Sequence, residues 1–387
     1  MDLAGLNVAI IGAGIGGLAA ALVLRRHGAF VHVLEQAPEI TEVGAGLQIS
    51  PNGFVVLNAL ELGDQLRETS LQGTHIHLRD YSGRSVTTLD LGLSGHSDYY
   101  FVHRADLLNL LLEAAMQSGV EISTGFQVMD VTPGTTPTVT DHDGNTHSAD
   151  LIIGADGLHS VARAALNGTV APFFTQQVAW RAVVPETEAA HMVDLYMGPR
   201  RHIVTYPLRQ GRLRNIVAVE ERTQWVAESW SQQDDPDAMR EVFADFGPDV
   251  QALLKRVENV NLWGLFRHPV APVWQSGNVA LLGDAAHPTL PFLAQGANMA
   301  LEDAWALGAC LSTGSDVSSA LASYQSMRKE RTARIVMAAS KNAWKYHLSF
   351  KPVRALAHAG LQLAGLVAPA RMIGQFNWIY GHDVTQD

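Results

Sequence analysis

The sequence of 387 residues predicts an α/β fold in which a parallel sheet covered by helices is interrupted by an inserted antiparallel β-sheet. Three observations predict this arrangement. A strand, a glycine-rich turn, a helix and a second strand follow one another at the amino terminus, and this βαβ unit requires parallel strands. Short runs of β-branched residues separated by turns fill the region from about residue 176 to 267. A buried apolar strand, Asn278–Leu282, then resumes the first pattern and leads into a further helix.

The first part of the chain alternates strands and helices. Its βαβ unit consists of the strand Val8–Ile11, the helix Gly17–Arg26 and the strand Phe30–Leu34. Apolar periodicity predicts two further helices, Pro51–Leu66 and Ala105–Ser118. Turn residues between apolar runs predict two hairpins and one buried strand: His75–Tyr81 with Ser85–Leu89, Val139–Asp141 with Thr146–Ser148, and Leu151–Ile153.

The inserted sheet is expected to form a second domain inside the first. After it, the helix Asn298–Leu311 belongs to the first domain again. The predicted strands of the insertion are Gln177–Val184, Val193–Met197, His202–Pro207 and Leu213–Glu220. We therefore expect a discontinuous first domain of residues 1–74, 99–170 and 276–345, a second domain of residues 75–98 and 171–275, and a C-terminal helical segment of residues 346–387.

Composition narrows the classes of partner. The formal net charge of −11 argues against a nucleic acid, because phosphates select a basic surface. The single cysteine, Cys310, excludes an internal disulfide and multi-cysteine metal or iron–sulfur sites, and it fits a reducing compartment. Polar residues and proline interrupt the apolar-rich segment Ala355–Ile373, so a packed surface helix is expected rather than a membrane anchor. We expect a cytoplasmic protein without membrane contact, while its oligomeric state is not indicated.

The first chemical motif is the glycine-rich turn GAGIGG at residues 12–17. Gly12 allows the tight turn, Gly14 lets the backbone approach a pyrophosphate, and Gly17 lets the helix pack on the strand. Glu35 ends the second strand and is placed to accept hydrogen bonds from a ribose. The alternative is a plain glycine-rich turn with a surface glutamate. The sequence Gly44-Ala45-Gly46 lacks a third glycine, so one Rossmann-like dinucleotide site is expected.

Two later strands each end at an aspartate. Asp156 lies in the segment GADGLHS at residues 154–160, and Asp284 lies in GDAAHP at residues 283–288. A carboxylate at a strand end is placed to hold a loop or to bind sugar hydroxyls, and the following helix N-terminus favours an anionic group. The alternatives are an ordinary Asp-Gly turn at Asp156, a helix cap at Asp284, and a His287 that serves the turn rather than the chemistry.

Together these segments resemble the single-component FAD-dependent aromatic hydroxylases, which are the salicylate hydroxylase-like flavoprotein monooxygenases. The resemblance covers essentially the whole chain in order, and the two aspartate segments are more specific for the family than the glycine turn. Val102–Leu108 is similar to the family segment whose arginine contacts FAD. Pro291–Asn298 and Asn342–Leu348 are especially similar to the salicylate hydroxylase group.

The resemblance implies an FAD-binding first domain and a substrate-binding second domain. NADH or NADPH would bind transiently as the electron donor, which agrees with the lack of a second fingerprint. The main chain near Val128 would lie by the adenine, the backbone of Gly296 and Ala297 by the isoalloxazine, and Asp156 would serve both nucleotides. The residues implied to bind FAD are Gly12, Ala13, Gly14, Gly17, Glu35, Gln36, Ala45, Gly46, Arg104, Val128, Asp156, Asp284, Gly296 and Ala297.

The implied reaction is hydroxylation of a small aromatic substrate, hydroxybenzoate- or salicylate-like, by O₂ through a flavin C4a-hydroperoxide. The distal oxygen of the hydroperoxide is electrophilic, so a phenol substrate should be ionised to make its ring electron-rich. A base with a pKa near the working pH would help to remove the phenolic proton. His202 and Tyr206 lie four residues apart on one predicted strand and therefore face the same way. We predict His202 as the base and Tyr206 as its hydrogen-bonding partner. The alternative is that both are ordinary strand residues.

The substrate pocket is expected between the flavin ring and the inserted sheet. Pro291, Phe292 and Leu293 should give it an apolar wall, although some relatives carry polar residues at the first two of these positions. Arg181 and Arg214 are candidates to hold a substrate carboxylate bidentately. The alternative is that both arginines are solvated surface residues.

Three other functions remain open at this stage. An FAD oxidase or reductase of the same fold would transfer no oxygen to its substrate, and product mass separates it from a monooxygenase. A non-catalytic flavin-binding sensor would bind FAD that NAD(P)H reduces slowly, whatever aromatic compound is added. A plain NAD-dependent dehydrogenase would be purified without a yellow colour.

Overall fold

The computed structural model describes residues 1–41, 45–95, 97–187, 189–223 and 232–387. Within these ranges the chain forms a six-stranded sheet, an eight-stranded sheet and two three-stranded sheets, with helices packed against them. The strands are β1 (Asn7–Ile11), β2 (Phe30–Leu34), β3 (Gly46–Ile49), β4 (Leu71–Gln72), β5 (His75–Asp80), β6 (Ser85–Asp90), β7 (Tyr100–His103), β8 (Glu121–Ser123), β9 (Val128–Thr132), β10 (Thr138–Asp141), β11 (Thr146–Ser148), β12 (Leu151–Gly154), β13 (Phe173–Pro185), β14 (Met192–Gly198), β15 (Arg201–Leu208), β16 (Leu213–Glu221), β17 (Gln233–Asp234), β18 (Val260–Arg267), β19 (Gln275–Ser276) and β20 (Val279–Leu281). The helices are α1 (Ile15–Arg26), α2 (Pro51–Ala59), α3 (Gly63–Thr69), α4 (Arg104–Gln117), α5 (Val161–Asn167), α6 (Pro236–Val242), α7 (Pro248–Lys255), α8 (Gly296–Thr313), α9 (Val317–Asn342), α10 (Lys351–Val367), α11 (Pro369–Gly374) and α12 (Asn377–Tyr380).

The six-stranded sheet is parallel except at one edge. Its order is β19-β20-β12-β1-β2-β8, and β20 lies beside β12, so the chain returns to this sheet after the insertion, as predicted. The helices α1 and α8 pack so closely that a Cβ atom at Gly308 would lie 2.2 Å from Cγ1 of Val23. The carboxyl ends of β1, β12 and β20 meet at one edge, where sheets of this kind form a ligand-binding crevice.

The eight-stranded sheet has the order β17-β18-β13-β16-β15-β14-β5-β6. The hairpin β5–β6 therefore belongs to the same sheet as the strands of the insertion. The exact limits of the two domains remain a prediction. One pair differs from the antiparallel expectation, because β14 runs parallel to β5. A short hairpin would force antiparallel pairing, but β6 to β13 lie between these two strands in the chain. Their relative direction is set by tertiary packing.

The two faces of this sheet have different partners. On one face, Trp180, Ile216 and Ala218 pack with Phe243 and Leu254 from the α6–α7 region into an apolar core. On the other face the side chains turn toward the parallel sheet and line a cavity. Residues therefore alternate between a sealed core and an accessible cavity along each strand.

The helix predicted at Pro51–Leu66 is divided into α2 and α3. Glu61 adopts a positive φ of 65° between them. The amide of Leu62 donates to the carbonyl of Leu57 at 2.9 Å, which is the bonding of a Schellman-type helix end. Both leucines are buried, so the apolar pattern continues across a break that periodicity alone does not reveal.

The C-terminal helix α10 covers part of the predicted surface segment. Apolar side chains along it are largely exposed, for example Leu356 at 75% and Leu366 at 83%. Among the residues that the structure describes, no helix combines the length and the hydropathy needed to cross a membrane.

Candidate active site

The glycine turn between β1 and α1 closes on itself as the motif requires. Gly12 has a φ of +100°, and a Cβ atom there would lie 2.6 Å from the carbonyl oxygen of Ala155. A Cβ atom at Gly17 would lie 2.0 Å from the carbonyl oxygen of Gly12. At Gly14, by contrast, a Cβ atom would meet no protein atom within 4 Å. The turn is therefore packed against the protein at its first and last glycines and open at the middle one, where a ligand can approach the start of α1.

Glu35 at the end of β2 ties this turn to the next loop. Its carboxylate accepts hydrogen bonds from the amides of Ala13 at 2.7 Å and Ala37 at 2.8 Å, one on each oxygen. Each oxygen keeps a second lone pair, so ribose hydroxyls can still be bound. The neighbouring Gln36 is exposed. The amide of Phe126 donates to the Glu35 carbonyl at 2.8 Å, which brings the predicted adenine segment at Val128 to the same corner.

Gly46 begins β3, and Arg104 is the first residue of α4, directly after the neighbouring strand β7. The amide of Arg104 donates to the carbonyl of Ala45 at 2.9 Å, and both Arg104 and Gly46 line the cavity. The amide of Gly46 donates to the Asn215 side chain at 2.9 Å, which joins this corner to the eight-stranded sheet. The predicted residues Ala45, Gly46 and Arg104 are thus brought together.

Asp156 caps a helix in this structure. Its carboxylate accepts hydrogen bonds from the Ser160 hydroxyl at 2.5 Å and from the amides of Val161 at 2.8 Å and Ala162 at 3.1 Å. Burial raises the pKa of this carboxyl although these donors act in the opposite direction. The side chain therefore ties the β12–α5 loop to the start of α5, and its role toward nucleotides remains a prediction.

Asp284 lies in the turn after β20 and lines the cavity. Its side chain is exposed in the cavity, and the surrounding protein, which keeps bulk water from the carboxyl, raises its pKa. The turn is fixed from behind, because the Gly283 amide donates to Asp303 at 3.0 Å. His287 also hydrogen-bonds to Asp303 and is fully buried. His287 therefore stabilises the turn, as in the alternative that assigns it no part in the chemistry.

The amino terminus of α8 forms another part of the cavity wall. Gly296 is its first residue, and both Gly296 and Ala297 line the cavity. The first amides of an α-helix lack partners within the helix and carry a partial positive charge. This end of the cavity is therefore suited to an anionic or electron-rich ring.

The cavity has a volume of about 730 Å³ and runs from the glycine turn to the eight-stranded sheet. Its far wall contains alternate residues of β15 and β16, which point to one face, together with Arg181 of β13 and a continuous stretch of β18. The predicted residues Pro291, Phe292 and Leu293 form a 3₁₀ turn along its side. The apolar wall expected from the sequence is thus in contact with the sheet face that carries His202 and Tyr206.

His202 and Tyr206 lie in this far wall, both almost fully buried. Burial and the neighbouring His347 lower the pKa of His202 well below its usual value, so its imidazole is uncharged near neutral pH. Burial raises the pKa of Tyr206 to about 12, so its hydroxyl keeps its proton. The pair therefore offers one acceptor and one donor, with the ring of Phe292 5.8 Å from that of His202.

Arg181 and Arg214 are separated by the sheet. Arg181 lines the cavity, with its guanidinium carbon 4.3 Å from the ring centre of Trp263. Arg214 points to the opposite face, where its Nε donates to Glu186 at 2.6 Å. The structure therefore brings Arg181 to the predicted pocket and does not bring Arg214 there.

Several residues in the cavity wall or directly behind it were missed by sequence reasoning. His347 hydrogen-bonds to His202 at 2.6 Å from a position 145 residues away, and Lys345 and Asn342 line the cavity nearby. The family resemblance of the segment Asn342–Leu348 is the signal that points to this region, but it assigns no role to any single residue there. Gln48 and Tyr99 also line the cavity, next to Tyr206, and no motif marks them.

Comparison with known proteins identifies relatives of this chain. Residues 5–339 match the family model described as an FAD binding domain. The chain is 36% identical over 398 residues to a 3-hydroxybenzoate 6-hydroxylase of Polaromonas naphthalenivorans, which covers 98% of this chain and 97% of the relative. It is 35% identical over 361 residues to a 3-amino-4-hydroxybenzoate 2-monooxygenase of Streptomyces cremeus, which covers 90% and 89%.

Solved structures agree over nearly the whole chain. HpxO of Klebsiella pneumoniae, complexed with FAD and uric acid, has a TM-score of 0.83 and 27% identity, and covers 96% of this chain and 95% of that one. A substrate complex of salicylate hydroxylase has a TM-score of 0.82 and 25% identity, with coverage of 99% and 97%.

Proposed function

The chain belongs to the family of FAD-dependent aromatic-ring monooxygenases, and from this premise we propose that it hydroxylates a phenol that carries a carboxylate. The family and the FAD cofactor predicted from the sequence are confirmed. We propose a hydroxybenzoate- or salicylate-like substrate, with NADH or NADPH and O₂ as co-substrates. The observation that carries the substrate class is a cavity wall that combines His202, Tyr206 and Arg181 with apolar side chains. A single cysteine fits a reducing compartment, and we also propose a cytoplasmic location.

The residues around the glycine turn fit FAD. The open position at Gly14 and the first amides of α1 suit a pyrophosphate. The first amides of α8 suit the ring, and the carboxylate of Asp284, which is exposed in the cavity, suits sugar-like hydroxyls. FAD, when bound, supplies the activation of oxygen. The residues that would hold it are Gly12, Ala13, Gly14, Gly17, Glu35, Gln36, Ala45, Gly46, Arg104, Val128, Asp156, Asp284, Gly296 and Ala297.

The residues of the far wall would prepare the substrate. His202 is uncharged and accepts the proton of the phenol, which makes the ring electron-rich. Tyr206 keeps its own proton and donates a hydrogen bond to the phenolate oxygen. Arg181 is the guanidinium of this wall that would bind the carboxylate and set the ring's orientation. Phe292 and Leu293 keep bulk water away from the reacting ring.

The test is NAD(P)H oxidation by the FAD-loaded protein with a panel of hydroxybenzoates, with product mass measured in the same samples. We expect at least one hydroxybenzoate to stimulate oxidation and to gain one oxygen atom. The matched control is the corresponding benzoate without a hydroxyl group, which should bind without being hydroxylated.

The other outcomes separate the alternative functions. Stimulated oxidation with H₂O₂ as the only product would favour an oxidase or reductase. Slow flavin reduction that no compound accelerates would favour a sensor. A protein that fails to bind FAD and reduces or oxidises a substrate with nicotinamide alone would favour a dehydrogenase.

A further inference from the structure

A chain of hydrogen bonds leads from the cavity wall to the protein surface. The rings of His202 and His347 are joined between Nδ1 and Nε2 at 2.6 Å, and Nδ1 of His347 contacts Oε1 of Glu221 at 2.9 Å. Nε of Arg200 donates to Oε2 of Glu221 at 3.2 Å. The two histidines are 2% and 4% exposed, whereas the Glu221 side chain is 32% exposed. The chain therefore begins in the cavity, crosses the buried region and ends at a carboxylate in contact with water.

Glu221 determines which ring nitrogens carry hydrogen. The hydrogen bond from His347 and the charge of Arg200 lower the pKa of Glu221, so it is an ionised acceptor. In its uncharged form, His347 then carries its hydrogen on Nδ1, which leaves a lone pair on Nε2. His202 must in turn donate from Nδ1 to that lone pair. Its Nε2, which makes no hydrogen bond to the described residues, is thereby left unprotonated for the cavity.

We propose that His202, His347 and Glu221 form a proton relay that carries the phenolic proton of the bound substrate from the cavity to solvent. This inference rests on the proposed function and names two residues that do not touch the substrate. His202 is the catalytic residue of the set, while His347 and Glu221 are relay residues.

The proton balance of the relay is simple. The phenol O–H bond breaks and its proton binds Nε2 of His202, while the hydrogen on Nδ1 of His202 moves to Nε2 of His347. The hydrogen on Nδ1 of His347 moves to the Glu221 carboxylate, which releases it to water. One proton leaves the cavity, no electrons are transferred, and the reverse sequence can return a proton to the product.

The relay explains how a buried histidine of low basicity can act as the base. Burial opposes a charged His202, so a proton held there for long would be costly. In the relay His202 receives a proton on one nitrogen as it gives one up from the other, and no net charge stays on its ring. The transferred proton instead ends on the Glu221 carboxylate, which lies beside Arg200 at the surface.

The test measures proton release when a phenol binds to the oxidised, FAD-loaded protein, without turnover. The probe is the hydroxybenzoate that changes the flavin absorbance most on binding, mixed in a stopped-flow instrument with a pH-indicator dye. The wild-type protein should release up to one proton per bound molecule. Glu221→Gln keeps a hydrogen-bonding side chain but loses the proton acceptor, so release should slow about tenfold or more, with binding affinity nearly unchanged. His347→Gln should have the same effect.

The matched control is Glu220→Gln. Glu220 precedes Glu221 on β16, and Arg222 donates to it at 3.0 Å from Nη2. It has no part in the relay, so its substitution should leave proton release at the wild-type rate.

Binding and proton release are read separately, so the two proposals fail in different ways. No absorbance change with any hydroxybenzoate would overturn the proposed function and the relay with it. Binding without proton release by the wild type, or release from Glu221→Gln at the wild-type rate, would overturn the relay alone. A second measurement needs no substrate: histidine ¹⁵N spectra should show hydrogen on Nδ1 of both His202 and His347, and hydrogen on Nε2 of either would overturn the proposal.

Discussion

Arg181 and Arg214 lie on adjacent strands, yet only Arg181 lines the cavity. In the β13–β16 ladder Arg181 pairs with Val217, and Val217 also faces the cavity. Arg214 lies three positions before Val217 on β16 and therefore points to the other face. The register between β13 and β16 thus places the two arginines on opposite faces of the sheet, although both are arginines on neighbouring strands.

At this scale we predict a selective effect of Arg181→Gln. If Arg181 binds the substrate carboxylate, its loss should raise KM for the hydroxybenzoate by about 10- to 100-fold, since a hydrogen bond to a charged group contributes roughly 1.5–3 kcal/mol. The corresponding phenol without a carboxylate should be affected little. Arg214→Gln is the matched control and should leave both KM values unchanged. Steady-state kinetics at saturating FAD measure this, and an equal effect of Arg181→Gln on both substrates would argue against carboxylate binding.

At the scale of elements, the glycine turn and α1 act as one unit. The three motif glycines differ in what surrounds them, since Gly12 and Gly17 face protein backbone and Gly14 faces open space. The motif thus contains two glycines required by the fold and one required by the ligand. Sequence alone assigns these roles by analogy, whereas the structure assigns them by the distance to the nearest atom.

This difference predicts that Gly14→Ala and Gly17→Ala fail in opposite ways. Gly14→Ala should leave the melting temperature of the FAD-free protein unchanged and weaken FAD binding by about tenfold or more, because the methyl group occupies space needed by the pyrophosphate. Gly17→Ala should lower the melting temperature of the FAD-free protein itself by several degrees, because of the contact with the Gly12 carbonyl. Thermal unfolding without FAD and fluorescence titration with FAD separate the two. A loss of FAD-free stability in Gly14→Ala would contradict this assignment.

At the scale of the whole molecule, a buried charge cluster joins α8, α9 and the Asp284 turn. Arg328 is fully buried and donates to Asp303 at 2.8 Å, and it lies 2.6 Å from Glu302. Burial by itself would raise the pKa of Asp303, but the charges of His287 and Arg328 hold it at about 2. Because Asp303 also accepts the Gly283 amide, this cluster couples the packing of the C-terminal helices to the position of the cofactor-binding turn.

The cluster predicts a loss of stability in acid. The pKa of Asp303 is about 2 in the folded protein, below the 3.8 of an unperturbed aspartate in the unfolded chain. The contribution of its ionised carboxylate to the free energy of unfolding is therefore present above about pH 4 and is lost as the pH falls through 2. Urea unfolding at pH 5, 4 and 3 should therefore show a free energy of unfolding that declines with pH. Asp303→Asn should be less stable at pH 7 and should show a shallower decline. Asp245→Asn, at an exposed surface pair with Arg201, is the control and should follow the wild type. An unchanged slope in Asp303→Asn would contradict the prediction.

The sequence by itself determined the kinds of elements, the glycine turn, the FAD family and the common face of His202 and Tyr206. Each of these depends on neighbours in the chain, because a turn or a period of two residues is a local property. Only the tertiary structure decided that Arg181 rather than Arg214 reaches the cavity, and that His347 meets His202 across 145 residues. Strand register and the docking of the C-terminal segment are set by packing between distant parts of the chain, and no local pattern encodes them.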